Sequence, residues 1–271
     1  MINNTIIVIF VPMIKSKFFA LFILSIVLTF YSCKEPGCTD YNAINYNSEA
    51  NEDDNSCLYE GSLNIDFRLV NGNQSFEKYD TIQSQNFSFR LENMKFYISN
   101  IQLKSADGNK NLSEVHLFDI DNPNSKTLTF NIEEDSFDSL YFDLGLNSQQ
   151  NSTVPADYDV NHPLGLNQNT FWAMQPSSYL FVMIEGKMDT LQGDNFYPLT
   201  YHLAHDDLLR NIALYQQISV SKDNTNTLVV NIDVSKIFDS VDLSEDLPHQ
   251  STNSKLAQQL MTNFSSTFEI Q

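Results

Sequence analysis

Regular alternation of apolar and polar residues is the feature that most limits what this chain can fold into. From Leu63 to Leu69 every second residue is apolar, as in a strand with one buried face. Comparable apolar runs recur at 87–91, 95–103, 115–119, 128–132, 140–144, 179–185, 196–203, 212–220 and 227–234. No helical repeats are interleaved between these runs. The pattern therefore predicts an all-β fold, an antiparallel sandwich or barrel.

Two segments depart from the strand pattern. Residues 145–170 are polar and contain Pro155 and Pro163, which predicts a long loop. Near the C-terminus, apolar residues recur at helical spacing and mark one face of a short helix. These residues are Leu256, Ala257, Leu260, Met261 and Phe264.

The charge balance excludes one class of partner. The 271 residues include 15 Lys and Arg against 34 Asp and Glu, a formal net charge of -19. Binding to nucleic acid requires a surface rich in Lys and Arg, and this chain cannot assemble one. An acidic surface tolerates cations, but the charge alone does not indicate which cation.

The N-terminus has the features of an export signal. Lys15 and Lys17 precede an apolar run at 18–31, about as long as the core of a signal peptide. Cys33 follows this run directly after a small residue, an arrangement that resembles a bacterial lipobox. The resemblance implies that residues 1–32 are a lipoprotein signal peptide and that Cys33 is lipidated, which anchors the protein to the outer membrane of a bacterial envelope. The alternatives are an uncleaved membrane anchor and an ordinary secretory signal.

A second cysteine-containing segment follows at 33–60. An oxidising envelope permits Cys38 and Cys57 to pair. The segment resembles a short cysteine-bracketed module of Bacteroidota surface proteins. Its oxygen ligands suit Ca²⁺, and the alternative is a disulfide-closed acidic loop without an ion. The candidate oxygen ligands are Asp40, Asn42, Asn47, Asp53 and Asp54.

The sequence contains no enzyme signature, but its histidines are candidate metal ligands. There is no glycine-rich phosphate loop, no nucleophile elbow and no two-histidine zinc helix. Imidazole nitrogen suits copper, zinc, iron or nickel. In strand 196–203, alternation places His202 on the face opposite Tyr201 and Leu203. Taken singly, each histidine is more often structural than a ligand. The five are His116, His162, His202, His205 and His249.

Three blocks of sequence resemble a known family. They read KFYISNIQL at 95–103; NHPL at 161–164 with FWAM at 171–174, YLF at 179–181 and EG at 185–186; and YHL at 201–203 with His249 and NF at 263–264. In this order and spacing, residues 62–270 resemble the MbnP-like domain, a copper-binding periplasmic protein type first named for methanobactin gene clusters. The resemblance implies a β-sandwich at 61–271 that is not an enzyme.

The same resemblance implies a ligand set and a partner. His162, His202 and His249 are the candidate ligands of one copper ion, in copper acquisition or handling. Trp172, the only tryptophan, is the candidate for oxidation to kynurenine by a dihaem cytochrome c peroxidase-like partner. Met174 stands where the family has a second tryptophan, so Trp172 stays unmodified if oxidation depends on that residue. Met174 itself is expected to fill the core, or else to offer a soft thioether to the site.

A different class of function remains open. On this alternative the protein is a surface interaction or scaffold β-sandwich without a metal site. The Asn-rich and aromatic loops around 145–170 motivate it. A redox enzyme is the third possibility, and nothing in the sequence indicates a substrate pocket for one.

Overall fold

The computed structural model describes residues 34–83, 87–189, 196–222, 224–241 and 255–271, together with the backbone of 249–250. The expected signal peptide at 1–32 and the expected lipid site at Cys33 lie outside these residues. Backbone contacts divide the chain into two compact units, Met1–Leu58 and Tyr59–Gln271. Within the described residues, no helix has the length and apolar character needed to cross a membrane.

The described part of the first unit is a small disulfide-closed module. Strands β1 (Pro36–Gly37) and β2 (Glu52–Asp53) pair in parallel. Cys38 and Cys57 form a disulfide bond, which confirms the predicted pairing. The cross-link holds a segment that buries few apolar side chains.

The second unit contains most of the secondary structure. Its strands are β3 (Glu60–Asn71), β4 (Gln74–Ser75), β5 (Thr81–Gln83), β6 (Ser88–Lys104), β7 (Asn109–Asp119), β8 (Thr127–Glu133), β9 (Asp135–Leu144), β10 (Phe171–Trp172), β11 (Ser178–Asp189), β12 (Tyr197–Ala204), β13 (Arg210–Val220), β14 (Thr225–Asp233), β15 (His249–Gln250) and β16 (Phe268–Ile270). Its helices are α1 (Ser148–Asn151) and α2 (Lys255–Ser265), with single 3-10 turns at Pro123–Ser125, Pro155–Asp157, Leu166–Gln168, Asp206–Leu208 and Val234–Lys236. The predicted C-terminal helix is confirmed as α2.

The strands form two sheets. The larger has nine strands, with the path β13-β9-β6-β11-β12-β15, while β5 and β7 also pair with β6 and β10 pairs with β11. The smaller has the path β16-β14-β3-β4, with β8 also on β3. Most pairs are antiparallel, as predicted, but β3 pairs with β14 in parallel. Strand alternation determines which face is buried and leaves the direction of pairing open.

Aromatic side chains join the two sheets face to face. Phe67 of β3 meets Phe142 of β9 edge-on, with ring centroids 6.3 Å apart. Phe268 of β16 lies 5.3 Å from Phe142 by the same measure. Phe264 of α2 packs edge-on against Phe96 of β6 at 5.1 Å. All five rings are buried, and the predicted β-sandwich with a C-terminal helix is confirmed.

Two predicted segments differ in detail from the structure. The runs at 87–91 and 95–103 are a single 17-residue strand, β6, which bends at a bulge where Asn100 has φ 52°. The loop at 145–170 contains α1, whose first turn is capped by Asn147. The Asn147 side chain accepts the N–H of Gln150, and the Gln150 side chain accepts the N–H of Asn147.

Candidate metal-binding site

His202 lies on the outer face of the larger sheet. Its neighbours in β12, Tyr201 and Leu203, are buried in the core, and the His202 side chain is 25% exposed. This confirms the direction predicted from alternation. The ring therefore reaches solvent from a rigid strand that is paired on both sides, by β11 and by β15.

A carboxylate and an amide stand behind His202. Nε2 of His202 lies 2.7 Å from Oε1 of Glu185 in β11. Nδ2 of Asn93 in β6 donates to Oε2 of Glu185 over 2.9 Å. The register explains the contact, because Asn93 lies opposite Glu185 and His202 lies opposite Met183, two residues from Glu185.

The environment keeps Glu185 ionised. Burial acts to raise the pKa of its carboxyl group, but the hydrogen bonds from Asn93 and His202 favour the charged form. The positive charge of Lys95, and that of His202 whenever the ring is protonated, act in the same direction, and the net effect lowers the pKa below its ordinary value. At neutral pH Glu185 is therefore an acceptor on both oxygens.

The rest of this face is mixed in character. Lys95 lies beside Met183 in the register and forms an ion pair with Asp119 at 3.0 Å. Met183 is buried with Leu180 and Ala204 in a small apolar cluster, separate from the main core. This cluster lies in β11 and β12, the strands that carry Glu185 and His202.

The backbone of His249 lies in β15, the strand that pairs with β12, which carries His202. In the parallel pairing of β12 with β15, His249 lies opposite Thr200, two residues from His202. The side chain of His249 is outside the described residues. Two of the three expected ligands are thus on adjacent strands.

His162 lies in the loop that covers another part of the sheet. Its ring stacks on Tyr158 with centroids 4.4 Å apart, and its Nδ1 accepts the N–H of Leu164 over 3.1 Å. The hydroxyl groups of Tyr97 and Tyr179 donate to the carbonyls of Pro163 and Leu164. Two buried tyrosines therefore fix the backbone next to His162.

No three of the His, Cys, Asp and Glu side chains in the described part of the chain come together as a metal-binding group. The convergence expected of His162, His202 and His249 is accordingly untested, since one of these side chains is outside that part. The geometry links His202 to Glu185 and, by register, to the position of His249. It does not link either residue to His162.

Trp172 and Met174 lie at the surface. Trp172 pairs with Ser178 in the short ladder of β10 and β11 and is 39% exposed. Met174, in the turn between these strands, is 63% exposed, so the expectation that it fills the core is wrong. Met174 lies beyond the last residue of β10, so strand alternation does not direct its side chain into the core.

The other described histidines have structural positions. Nε2 of His116 donates to the carbonyl of Ser125 over 2.7 Å. His205 follows β12 directly, has φ 79°, and its N–H donates to Oγ of Ser178. Both rings lie in part-buried surroundings next to the sheet.

Side-chain oxygen atoms of the cysteine-bracketed module accept hydrogen bonds from nearby backbone N–H groups. One side-chain oxygen in each of four residues accepts the backbone N–H two residues later. These residues are Asp40, Asn47, Asp53 and Asp54. These turns account for the acidic and amide residues at these four positions.

A cleft over the smaller sheet is lined by none of the histidines. It has a volume of about 1110 Å³ and lies over β3, β14 and β16 of the smaller sheet. Two ion pairs lie within it, Lys78 with Asp121 at 2.7 Å and Lys236 with Asp233 at 3.2 Å.

Sequence reasoning missed Glu185 and Asn93 as site residues. The sequence did carry a signal for Glu185, because this residue belongs to the EG motif and directly follows the buried Ile184. Asn93 and His202, however, are far apart in sequence and meet only through the pairing of β6, β11 and β12. A strand register cannot be read from a single sequence.

Comparison with known proteins identifies the family. A family model described as MbnP matches residues 60–257, well over half of the chain. A solved structure, MbnP from Methylosinus trichosporium, is similar with a TM-score of 0.48 and 12% sequence identity, over 68% of this chain and 79% of that chain. A search of curated proteins finds no match. On the strength of the family match, the chain belongs to the MbnP family, which is associated with copper handling.

Proposed function

We propose that this protein is a non-catalytic, envelope-anchored lipoprotein that holds one copper ion through histidines, in copper acquisition or handling. One observation carries the proposal. The backbone pairing of β12 with β15 puts His249 on the strand next to that of His202, at the end of the strand path of the larger sheet. Membership of the MbnP family supports copper as the metal.

The described donors suit copper in kind. Imidazole is a good ligand for this metal, and a ligating histidine usually directs its other ring nitrogen at a carboxylate or carbonyl. His202 has this arrangement with Glu185. His162 has one nitrogen engaged by the N–H of Leu164, which leaves Nε2 for a metal. We assign His202 and His249 as the central ligands and His162 as the third.

A copper titration of the protein lacking residues 1–32 tests the assignment. His202→Ala is expected to weaken copper binding by about tenfold or more, because a ligand on a rigid strand is lost. His249→Ala should act in the same direction. His205→Asn is the matched control, since it removes an imidazole just beyond the same strand and Asn tolerates the positive φ. Wild-type affinity in His202→Ala contradicts the proposal.

Trp172 is proposed as the site of oxidation by a dihaem peroxidase-like partner. Its partial exposure supports this assignment, because the ring is accessible to an enzyme that acts at the surface. After coexpression with such a partner, the mass of the peptide containing Trp172 should change, and Trp172→Phe should abolish the change. An unmodified peptide counts against oxidation and leaves the copper proposal intact.

Anchoring through Cys33 is the remaining part of the proposal. Cys33→Ser is expected to move the protein from the membrane fraction to the soluble fraction of its native host. Retention in the membrane would indicate an uncleaved anchor. Calcium in the cysteine-bracketed module is left out of the proposal, because the turns already engage its oxygens.

One observation favours a second function, that of an interaction surface. Several large apolar side chains are exposed in the segment from α1 to β11. They are Val154, Val160, Leu166, Trp172 and Met174. If this surface alone is functional, metal-free protein and His202→Ala should retain full binding to the partner, whereas Leu166→Ser should lose it.

A further inference from the structure

We infer that Glu185 and Asn93 are positioning residues that hold His202 in a single tautomer and so select Nδ1 as the nitrogen offered to copper. This inference rests on the proposed function, in which His202 is a ligand. It extends that function by naming the ligating atom and the residues that choose it. Nothing in the family assignment or the match to residues 60–257 specifies them.

The first step is the direction of the hydrogen bond between His202 and Glu185. An ionised carboxylate has acceptors only, so Nε2 of His202 carries the hydrogen and donates over 2.7 Å. A neutral imidazole has one N–H. Nδ1 is then the nitrogen with the free lone pair, and a metal ligand needs that lone pair.

The second step concerns Asn93, which orients the carboxylate. Its Nδ2 donates to Oε2 of Glu185 over 2.9 Å and contacts Sδ of Met183 at 3.5 Å. Its Oδ1 is buried and has no hydrogen-bond partner within the described residues. The amide therefore takes the orientation that serves Glu185, since the reverse would set two acceptor oxygens against each other.

The third step is the absence of competition for Glu185 from the nearest cation. Lys95 is engaged by Asp119 at 3.0 Å and by the carbonyl of Gln168 at 3.1 Å. Oε1 of Glu185 thus remains available to His202. All three members of the Asn93–Glu185–His202 chain lie on strands that are paired on both sides, so backbone hydrogen bonds fix their spacing.

The variant Glu185→Gln tests the inference without changing the shape of the side chain. A glutamine amide can accept from Nε2 or donate to it, so it selects neither tautomer. In metal-free protein, ¹⁵N NMR of labelled histidine should show His202 with hydrogen on Nε2 in the wild type and a mixture in the variant. Copper affinity should fall by about tenfold to a hundredfold. Asn93→Ala should shift both measurements in the same direction.

Glu92→Gln is the matched control. Glu92 is next to Asn93 in β6, pairs with Arg90 and is 31% exposed, against 35% for Glu185. It should leave the tautomer and the affinity unchanged, and an equal loss in this control would overturn the inference in favour of a general charge effect. A single tautomer in Glu185→Gln, or unchanged copper affinity in it, also overturns the inference. If His202→Ala retains wild-type copper affinity, the proposed function fails. The NMR spectrum of the metal-free protein distinguishes this failure from failure of the inference, because it reports the tautomer of His202 without copper.

Discussion

Three of the described histidines each give one ring nitrogen to a protein group. His116 donates to a carbonyl, His162 accepts a backbone N–H, and His202 is bonded to a carboxylate. An imidazole held in this way can offer at most one further nitrogen. Exposure then separates their roles, because His202 faces solvent from the outer sheet surface and His116 is enclosed between β7 and the turn at Pro123–Ser125.

At the residue scale, His116 should make stability depend on pH. Burial lowers the pKa of His116 below its ordinary value, although the hydrogen bond to Ser125 opposes this effect. In the unfolded chain His116 binds a proton at a higher pH than in the folded protein. The free energy of unfolding should therefore fall as the pH drops from about 7 to 5, by at most about 1.4 kcal/mol per pH unit from this group.

Urea denaturation across this pH range, in wild type and His116→Gln, measures the contribution. Glutamine can still donate to the carbonyl of Ser125 but does not titrate. The variant should show a shallower loss of stability towards pH 5. The carboxyl groups with lowered pKa, those of Asp54, Glu185 and Asp233, lose their contribution at still lower pH and should not obscure the comparison. Identical pH profiles would show that His116 is not responsible.

The sequence indicates which side chains of a strand face outward, but not which side chains of neighbouring strands they contact. Alternation along β12 predicted that His202 leaves the core, and the structure agrees. The contact with Glu185 depends on the register between β11 and β12 and on a bulge between Glu185 and Gly186 on the β6 side. Both are tertiary features that a local pattern does not determine.

At the scale of elements, α2 should contribute to stability through one face. Phe264 is buried against Phe96 and Phe268, and Phe264→Ala is expected to cost about 3–5 kcal/mol because it opens a cavity in the core. Thr262 is on the exposed face of the same helix, and Thr262→Ala should change the free energy of unfolding by about 0.5 kcal/mol or less. Chemical denaturation of both variants checks this difference.

The elements that the sequence predicted are the long ones. Each predicted apolar run falls in a strand of seven residues or more, because several alternating positions are needed to form a pattern. The short strands β10 and β15 have two residues each and no detectable period. These short strands carry Trp172 and His249, so pattern analysis is weakest at the elements most relevant to the proposed function.

At the scale of the whole molecule, the disulfide should be essential to the first unit. The two cysteines are 19 residues apart, and closing a loop of this size stabilises a fold by about 3 kcal/mol. Paired Cys38→Ser and Cys57→Ser substitutions should make residues 38–57 readily cleaved by protease. Cleavage sites mapped by mass spectrometry test this, with sites in 59–271 as the internal reference. Equal resistance in wild type and variant would show that the module does not depend on its cross-link.

The architecture was predictable where burial alone decides it. Ten alternating runs and one amphipathic helix were sufficient to predict a sandwich, since each apolar face must be covered by another. The parallel pairing of β3 with β14 was not predictable, because either strand direction buries the same residues.

That parallel pair has a consequence for how the protein acquires its structure. β3 is the first long strand and β14 the last, and the smaller sheet has β3 and β14 at its centre. A chain that emerges N-terminus first cannot complete this sheet until nearly all of it has emerged. Assembly is therefore a late event with a large loop-closure cost, which is typical of slow-folding β-proteins. Until β14 arrives, one edge of β3 has no hydrogen-bonded neighbour, which leaves the early chain open to pairing with another chain.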